Sequence, residues 1–330
     1  MKDMVSVIIL SYKNTKGIYE TLESVFSQRY DNIELIISDD GTPGFSEDIP
    51  KIESYIESNK SGNIKNTVIN AIEINGGTVK NINSAIRKSQ GRYIKVLSAE
   101  DKFSCDDALD KYVEFMERSN EKIAFAKMRG VTPAGEYVYK LLSCESDYDL
   151  LRRYTIDDTK KRLFKRNFLP APAWIIDRRL FEENGLFPED TRLIEDYPYW
   201  LYLTMKGVKF GYMDDVLVDY RLSGVSSGGF YGEMFMKDMM VIYNKYIFPY
   251  DRRFGIFQPI YNCLKRAGLN FYMSRARWEK MTAGQRMLAG IKYFPFFVLV
   301  KWQNFMIDQK NKRIIDGKKQ REVFYGDKDS

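Results

Sequence analysis

Gly91-Arg92-Tyr93-Ile94-Lys95-Val96-Leu97-Ser98-Ala99-Glu100-Asp101 decides how the rest of the chain reads. Tyr93 to Leu97 supply β-branched, aromatic and aliphatic residues over a strand-like length, and Glu100 and Asp101 close the run with charge that a buried sheet does not hold. Acid at the carboxyl end of a buried strand is where open α/β sheets place ligand chemistry. The plainer alternative is a solvated turn, or a cap for the helix predicted from near Asp106. The neighbouring strands separate the two.

Toward the amino terminus, Val5 to Leu10 is a dense β-branched run ended by Ser11-Tyr12-Lys13-Asn14. A helix with Ile18, Leu22, Val25 and Phe26 on one face follows, then a second buried strand, Ile33 to Ile37, ended by Ser38-Asp39-Asp40-Gly41-Thr42. A helix over 49–56, a strand over 66–73 and the loop Asn75-Gly76-Gly77 lead into a further helix before the fourth strand. Short buried strands alternating with helices predict an α/β fold with a parallel, doubly wound sheet. Polar or acidic residues follow the first, second and fourth strands, and in a parallel sheet those ends share one edge. Glu100 and Asp101 therefore join a crevice rather than a stray turn.

Toward the carboxyl terminus the pattern predicts a helix over 104–118 and a strand over 123–128, whereas 141–168 shows no clear period. Pro170-Ala171-Pro172-Ala173-Trp174 is a small-residue loop entering a short strand. Glu195-Asp196 precedes a helix over 197–205, where Asp196 would sit on the free amides and macrodipole of a helix start. Residues 216–221 read as a strand, and the turn at 226–229 ends the main domain.

Composition narrows the chemistry. The chain has 330 residues, 44% hydrophobic and 29% charged, enough for a sizeable core and too apolar for wholesale disorder. It contains no histidine, which removes Ser-His-Asp and Cys-His triads and leaves acid–base work to Asp, Glu, Lys, Tyr or Cys. Cys105, Cys144 and Cys263 are odd in number and far apart, which argues for a reducing compartment and against a disulfide scaffold. No signal peptide is visible, and the longest apolar run, 293–300, contains Pro295 and falls short of the roughly 20 residues that span a bilayer. Charge is uneven: residues 226–330 hold 19 Lys and Arg against 9 Asp and Glu, and residues 1–225 hold 32 against 36. An acidic body with a basic, aromatic tail predicts different partners for the two parts.

Taken in order, these pieces resemble the family 2 inverting glycosyltransferases of the GT-A fold, of the bacterial polysaccharide-biosynthesis type. The resemblance rests on Ser11-Tyr12-Lys13-Asn14, Asp39-Asp40-Gly41-Thr42, Asn75-Gly76-Gly77 with Asn83, Ser98-Ala99-Glu100-Asp101, Pro170 to Trp174, Glu195-Asp196 and Tyr220-Arg221. It implies a Rossmann-like, mostly parallel sheet flanked by helices over 1–228, with a nucleotide-sugar half of about 1–103 and an acceptor half of about 104–228. Residues 229–330 form a helical, basic-aromatic extension. It implies a donor site from Ser11, Tyr12, Asn14, Asp39, Asp40, Gly77, Asn83, Ser98, Ala99, Glu100, Asp101 and Arg221. A divalent cation, Mn2+ or Mg2+, would sit on Glu100 and Asp101, where hard oxygen ligands suit it. Ala173, Trp174 and Glu195 would meet the acceptor, with Asp196 as general base and Glu195 tuning it.

The implied reaction moves a hexosyl or N-acetylhexosaminyl group from a nucleotide diphosphate, most naturally UDP because a carboxylate accepts from the uracil imide, to a saccharide or lipid-linked acceptor. Three positions depart from the pattern: Ser98 replaces an acid, Ile82 stands where an Arg is common, and Leu222-Ser223 follows Arg221 where a His often helps bind metal. Weaker metal binding is the expectation that follows. The alternatives are a nucleotidyltransferase, which would want a Gly-rich basic loop where Ser11 to Lys16 stands, and a catalytically impaired sugar-nucleotide-binding module.

The tail interleaves Lys and Arg with Trp278, Tyr293, Phe294, Phe296, Phe297, Trp302 and Phe305, side chains that favour a membrane interface over nucleic acid. It predicts a cytoplasmic protein, peripheral at the inner face of the cell membrane, with packing on the catalytic domain or a homodimer as the alternative use of these helices.

Overall fold

The computed structural model describes residues 2–132, 135–138, 145–153, 155–169, 171–222 and 232–294. Pro170, Cys144, Ser223, the turn at 226–229 and the tail residues Phe296, Phe297, Trp302 and Phe305 lie outside them.

The expected alternation is present: β1 (Val5–Ser11), α1 (Thr15–Phe26), β2 (Ile33–Asp39), α2 (Phe45–Asn59), β3 (Ile64–Ala71), α3 (Thr78–Lys88) and β4 (Tyr93–Ser98). Every residue of β1 and β2 is buried, as strands covered on both faces must be. β5 (Lys102–Phe103), α4 (Ala108–Ser119), β6 (Ile123–Val131), β7 (Tyr137–Val138), α5 (Glu145–Arg152), α6 (Ile156–Leu163), β8 (Trp174–Asp177), α7 (Arg178–Asn184), α8 (Asp196–Met205) and β9 (Gly211–Arg221) follow. Among its described residues the aperiodic stretch at 141–168 holds two short helices. The strongly polar α6 buries only Thr159 and Leu163, too few to print an apolar stripe on the sequence.

The strands join one sheet in the order β3-β2-β1-β4-β8-β6-β9-β5, with β7 beside β6. β3, β2, β1 and β4 are parallel. β8 then runs antiparallel to both β4 and β6, and β6 and β9 are parallel again. This gives a mostly parallel sheet with β8 reversed between its halves and the short β5 and β7 reversed beside β9 and β6. Ile18, Leu22 and Val25 of α1 and Ile52 and Ile56 of α2 close on it in a continuous apolar core.

Lys95 is fully buried within β4. Its Nζ donates to the carbonyls of Val96 (2.8 Å) and Pro172 (2.5 Å), and burial pulls the ammonium down to about 7. An ammonium can be buried only if its donors are satisfied, and here they tie β4 to the turn Ala171–Ala173.

The first compact unit runs to Gln258 and the second spans Pro259–Ser330. The first unit therefore includes α9 (Glu233–Ile242) and the π-helical turn Tyr243–Ile247. The physical reason is that α9 buries Met236, Asp238 and Ile242. α10 (Gln258–Ala276) leads into the second unit, which continues with a short turn at Trp278–Lys280 and helical residues 283–294. Among the described residues no helix is long and apolar enough to cross a membrane, and Cys105 and Cys263 are free thiols.

Candidate active site

The parallel register brings the first set of site residues together. Ser11 pairs with Asp39 across β1 and β2, and Leu10 pairs with Ser98 across β1 and β4, so the three strands end level. The Asp39 carboxylate accepts from the Thr42 amide and hydroxyl (both 2.7 Å), and Thr42 Oγ1 accepts from Lys13 N (2.6 Å). Asp39 thereby holds its own turn against the end of β1. Asp40 reaches across to the glycine loop, accepting from Gly76 N (2.8 Å), Gly77 N (2.8 Å) and Asn75 Nδ2 (2.9 Å). Gly77 lies at φ +91°, and a Cβ there would meet Arg192 Cγ at 2.3 Å, so only glycine fits. Ser11 Oγ is buried at this edge without a hydrogen-bond partner, as a group awaiting a ligand would be.

The two carboxylates after β4 differ. Asp101 is 2% exposed and accepts from Arg221 N (3.0 Å) and Ser98 N (3.3 Å); burial pushes its carboxyl up to about 7. Glu100 has a left-handed backbone, φ +85°, which a side chain rarely adopts and which is costly to hold. Its amide is held by Gly17 O (3.1 Å) and Thr21 Oγ1 (3.0 Å), and its carboxylate stays 24% exposed, 3.9 Å from Arg221 Nε. A Cβ at Gly17 would lie 2.6 Å from Glu100 Cγ, so that glycine makes room for it. Ser98 and Tyr12 are exposed at the same edge.

Among the described residues no three acidic or cysteine side chains gather as a metal cage. Asp101 is buried and accepts from two backbone amides, whereas the Glu100 carboxylate is part-exposed, so Glu100 is the better placed of the pair to meet a cation. The donor set fits a cation held by one protein carboxylate, Glu100, with the remaining ligands from elsewhere, a pattern usual for Mg2+ at phosphates.

The second acid pair stands at the start of α8. Asp196 is 5% exposed; its Oδ2 accepts from Asn167 Nδ2 (2.8 Å) and its Oδ1 from Tyr197 N (2.6 Å). Burial raises its carboxyl above the ordinary range, while these two bonds oppose the rise. Burial first, then the neighbouring Asp196, pushes Glu195 up to about 8. The bonds from Asn167 and Tyr197 favour the charged form of Asp196 and so oppose the effect of its burial.

Several expected contacts prove to be internal ties. Asn83 is 1% exposed, donating to Phe187 O (2.8 Å) and Glu189 Oε1 (3.1 Å) and accepting from Phe187 N (3.2 Å), so it joins α3 to the segment before α8 and does not offer itself to a donor. Asn14 caps α1 through Gly17 N (3.1 Å). Ala173 and Trp174 are 0% and 2% exposed, and the Trp174 ring packs on Phe187 and Trp200; it is core, not a platform for a sugar. Asn167, Arg192, Gly17 and Thr21 were not singled out from the sequence. Asn167 falls in the aperiodic stretch, and nothing in the pattern marks it.

A mostly parallel sheet of this order, flanked by helices and with carboxylates at its level strand ends, is the architecture of the GT-A fold. The sequence matches Glycosyl transferase family 2 over residues 6–185, and the chain belongs to this family of glycosyltransferases. It is 28% identical over 226 residues to Bacillus subtilis TuaG, a glycosyltransferase named for teichuronic acid biosynthesis, covering 67% of this chain and 80% of that protein. It is 29% identical over 209 residues to WfaP of Escherichia coli, a UDP-Glc:alpha-D-GlcNAc-diphosphoundecaprenol beta-1,3-glucosyltransferase, covering 63% and 72%. Two Rickettsia relatives are matched over only 33% and 27% of their length. Among solved structures, Staphylococcus aureus TarS 1–349 with UDP-GlcNAc superposes with a TM-score of 0.56 at 17% identity, over 88% of this chain and 79% of that one. The Pyrobaculum calidifontis mannosyltransferase PcManGT with GDP-Man and Mn2+ gives 0.53 at 17% identity, over 96% and 88%. These likenesses show the same fold.

Proposed function

We propose that the protein moves a sugar from a UDP-sugar, with inversion, to a lipid-linked saccharide during cell-surface polysaccharide synthesis. The observation that carries this reading is the separation of two acid pairs: one at the level strand ends, the other buried at a helix start. UDP-GlcNAc in TarS and the lipid-linked acceptor in the name of WfaP support the substrate classes.

In this reading Ser11, Asp39 and the Asp40-held loop receive the nucleoside. Arg221, bonded to Thr132 O (3.0 Å) and beside Glu100, brings fixed positive charge to the diphosphate. A divalent cation, when bound, neutralises charge on the leaving UDP. Glu100 is the residue that would hold it. The acceptor hydroxyl attacks the anomeric carbon opposite the diphosphate, the bond to the diphosphate oxygen breaks, and the hydroxyl proton passes to Asp196. Glu195 retains its proton and keeps the pair singly charged.

Thermal stabilisation by UDP-, GDP- and TDP-sugars, with and without EDTA, tests the donor. UDP-sugars are expected to raise Tm most; a shift with GDP-sugars alone contradicts the assignment. Binding with no turnover against any acceptor would favour a non-catalytic module.

The second unit is proposed to dock on an anionic membrane at the cytoplasmic face. Residues 259–294 carry seven Lys and Arg against one acid, Glu279. Met287, Leu288, Ile291 and Phe294 are exposed at one-face spacing on a helical run. Full-length protein is expected to float with phosphatidylglycerol vesicles and a chain ending at Gln258 to stay behind; equal flotation refutes docking, and doubled mass without flotation indicates a homodimer.

A further inference from the structure

We propose that Asp238 of α9 is a positioning residue for transfer, setting the Glu195-Asp196 pair and the donor loop together through one short strap, residues 190–194. Its carboxylate is 3% exposed. It accepts from three successive amides: Arg192 N (3.0 Å to each oxygen), Leu193 N (2.6 Å) and Ile194 N (3.1 Å). Successive amides converging on one anion form a nest, and removing the anion strands several buried donors at once. Thr191 Oγ1 donates to Ile194 O (2.6 Å) and closes the strap on itself. At the strap's start, Asp190 accepts from Lys245 Nζ and Tyr246 Oη (both 2.5 Å) on the π-helical turn that follows α9.

The strap has two chemical ends. Its last residue adjoins Glu195, so the height of the strap sets the height of Asp196. Its second end is Arg192, whose guanidinium donates to Asn75 O (2.9 Å) and Asn75 Oδ1 (2.5 Å) and whose carbonyl accepts from Val79 N (3.2 Å). Asn75 to Gly77 is the loop that Asp40 gathers, and Gly77 touches Arg192 directly. A carboxylate in α9 therefore fixes the base and the donor loop relative to each other, although it reaches neither substrate. The inference rests on Asp196 being the base.

The test uses the full chain and a UDP-sugar that stabilises it, followed by UDP release. Asp238→Asn keeps the shape but removes the charge and turns an amide toward the nest. A displacement of about 1 Å at a reacting group costs about 100-fold, so kcat is expected to fall about 10- to 100-fold, with donor KM rising as the loop loosens. A purely structural role would lower Tm while leaving kcat of the folded enzyme and donor KM at wild-type values, and that result overturns the proposal. Should Asp238→Asn not fold, Tyr246→Phe decides: loss of one hydrogen bond from the strap's anchor is expected to lower kcat about two- to tenfold, and wild-type kcat there overturns the proposal. Asp196→Asn serves as the control. Slow turnover in Asp238→Asn beside normal turnover in Asp196→Asn would mean that the strap matters and that the base lies elsewhere.

Discussion

The dipeptide Glu-Asp occurs at the end of β4, Glu100-Asp101, and at the start of α8, Glu195-Asp196, and the two pairs are held in opposite ways. At the end of β4 the aspartate is the internal member, held by two backbone amides, while a left-handed backbone leaves the glutamate 24% exposed. At the start of α8 Asp196 is buried and Glu195 half-buried, and Asn167 and the Tyr197 amide bond the aspartate, favouring its charged form. In the proposed reading one pair meets a cationic or phosphate ligand and the other accepts a proton. Identical side chains acquire these roles through backbone angle and hydrogen-bond donors, not through sequence neighbours.

The largest effect that sharpens this contrast belongs to the proton-accepting pair. Asp196→Asn is expected to lower transfer by about 100- to 10,000-fold, the usual weight of a general base, with UDP stabilisation retained; transfer above a tenth of wild type would break the assignment. Glu100→Gln acts on the other pair. It is expected to weaken UDP-sugar binding and abolish any response to Mn2+ or Mg2+ in a titration after chelation, and an undiminished metal response would move the cation elsewhere. Gly17→Ala is gentler: its Cβ would press on Glu100 Cγ, so donor KM should rise while the Asp196 side, and hence the pH profile, stays unchanged. The smallest change is expected from Asn167→Ala. The Asn167 bond favours ionised Asp196, so its loss raises that carboxyl further and moves the acid limb of the pH–rate profile to higher pH. An acid limb that stays in place would detach Asn167 from the base.

Much of this was readable from residue types. Val5 to Leu10 and Ile33 to Ile37 are runs that only a strand covered on both faces uses, and the acids and glycines after them mark where such a sheet binds ligands. The reversal of β8 was not readable, because Trp174 to Asp177 is as apolar as a parallel strand would be. Nor was the division of labour within Glu100-Asp101, which depends on one φ angle. Asn83 and Trp174 match the family pattern yet serve the interior, since a motif position fixes a residue type without fixing which way it faces. The sequence pattern puts Asp238 with the tail, because residues after 231 share one helical, basic-aromatic pattern; its three amide partners lie more than forty positions away, a contact no periodicity records.

The central claim is that the two Glu-Asp pairs divide donor binding from proton transfer. Measuring UDP-sugar affinity and turnover side by side on Glu100→Gln and Asp196→Asn tests it most directly. Weakened affinity in the first, and near-normal affinity with turnover lost in the second, is the predicted crossing. Parallel losses of affinity and turnover in both variants would contradict it.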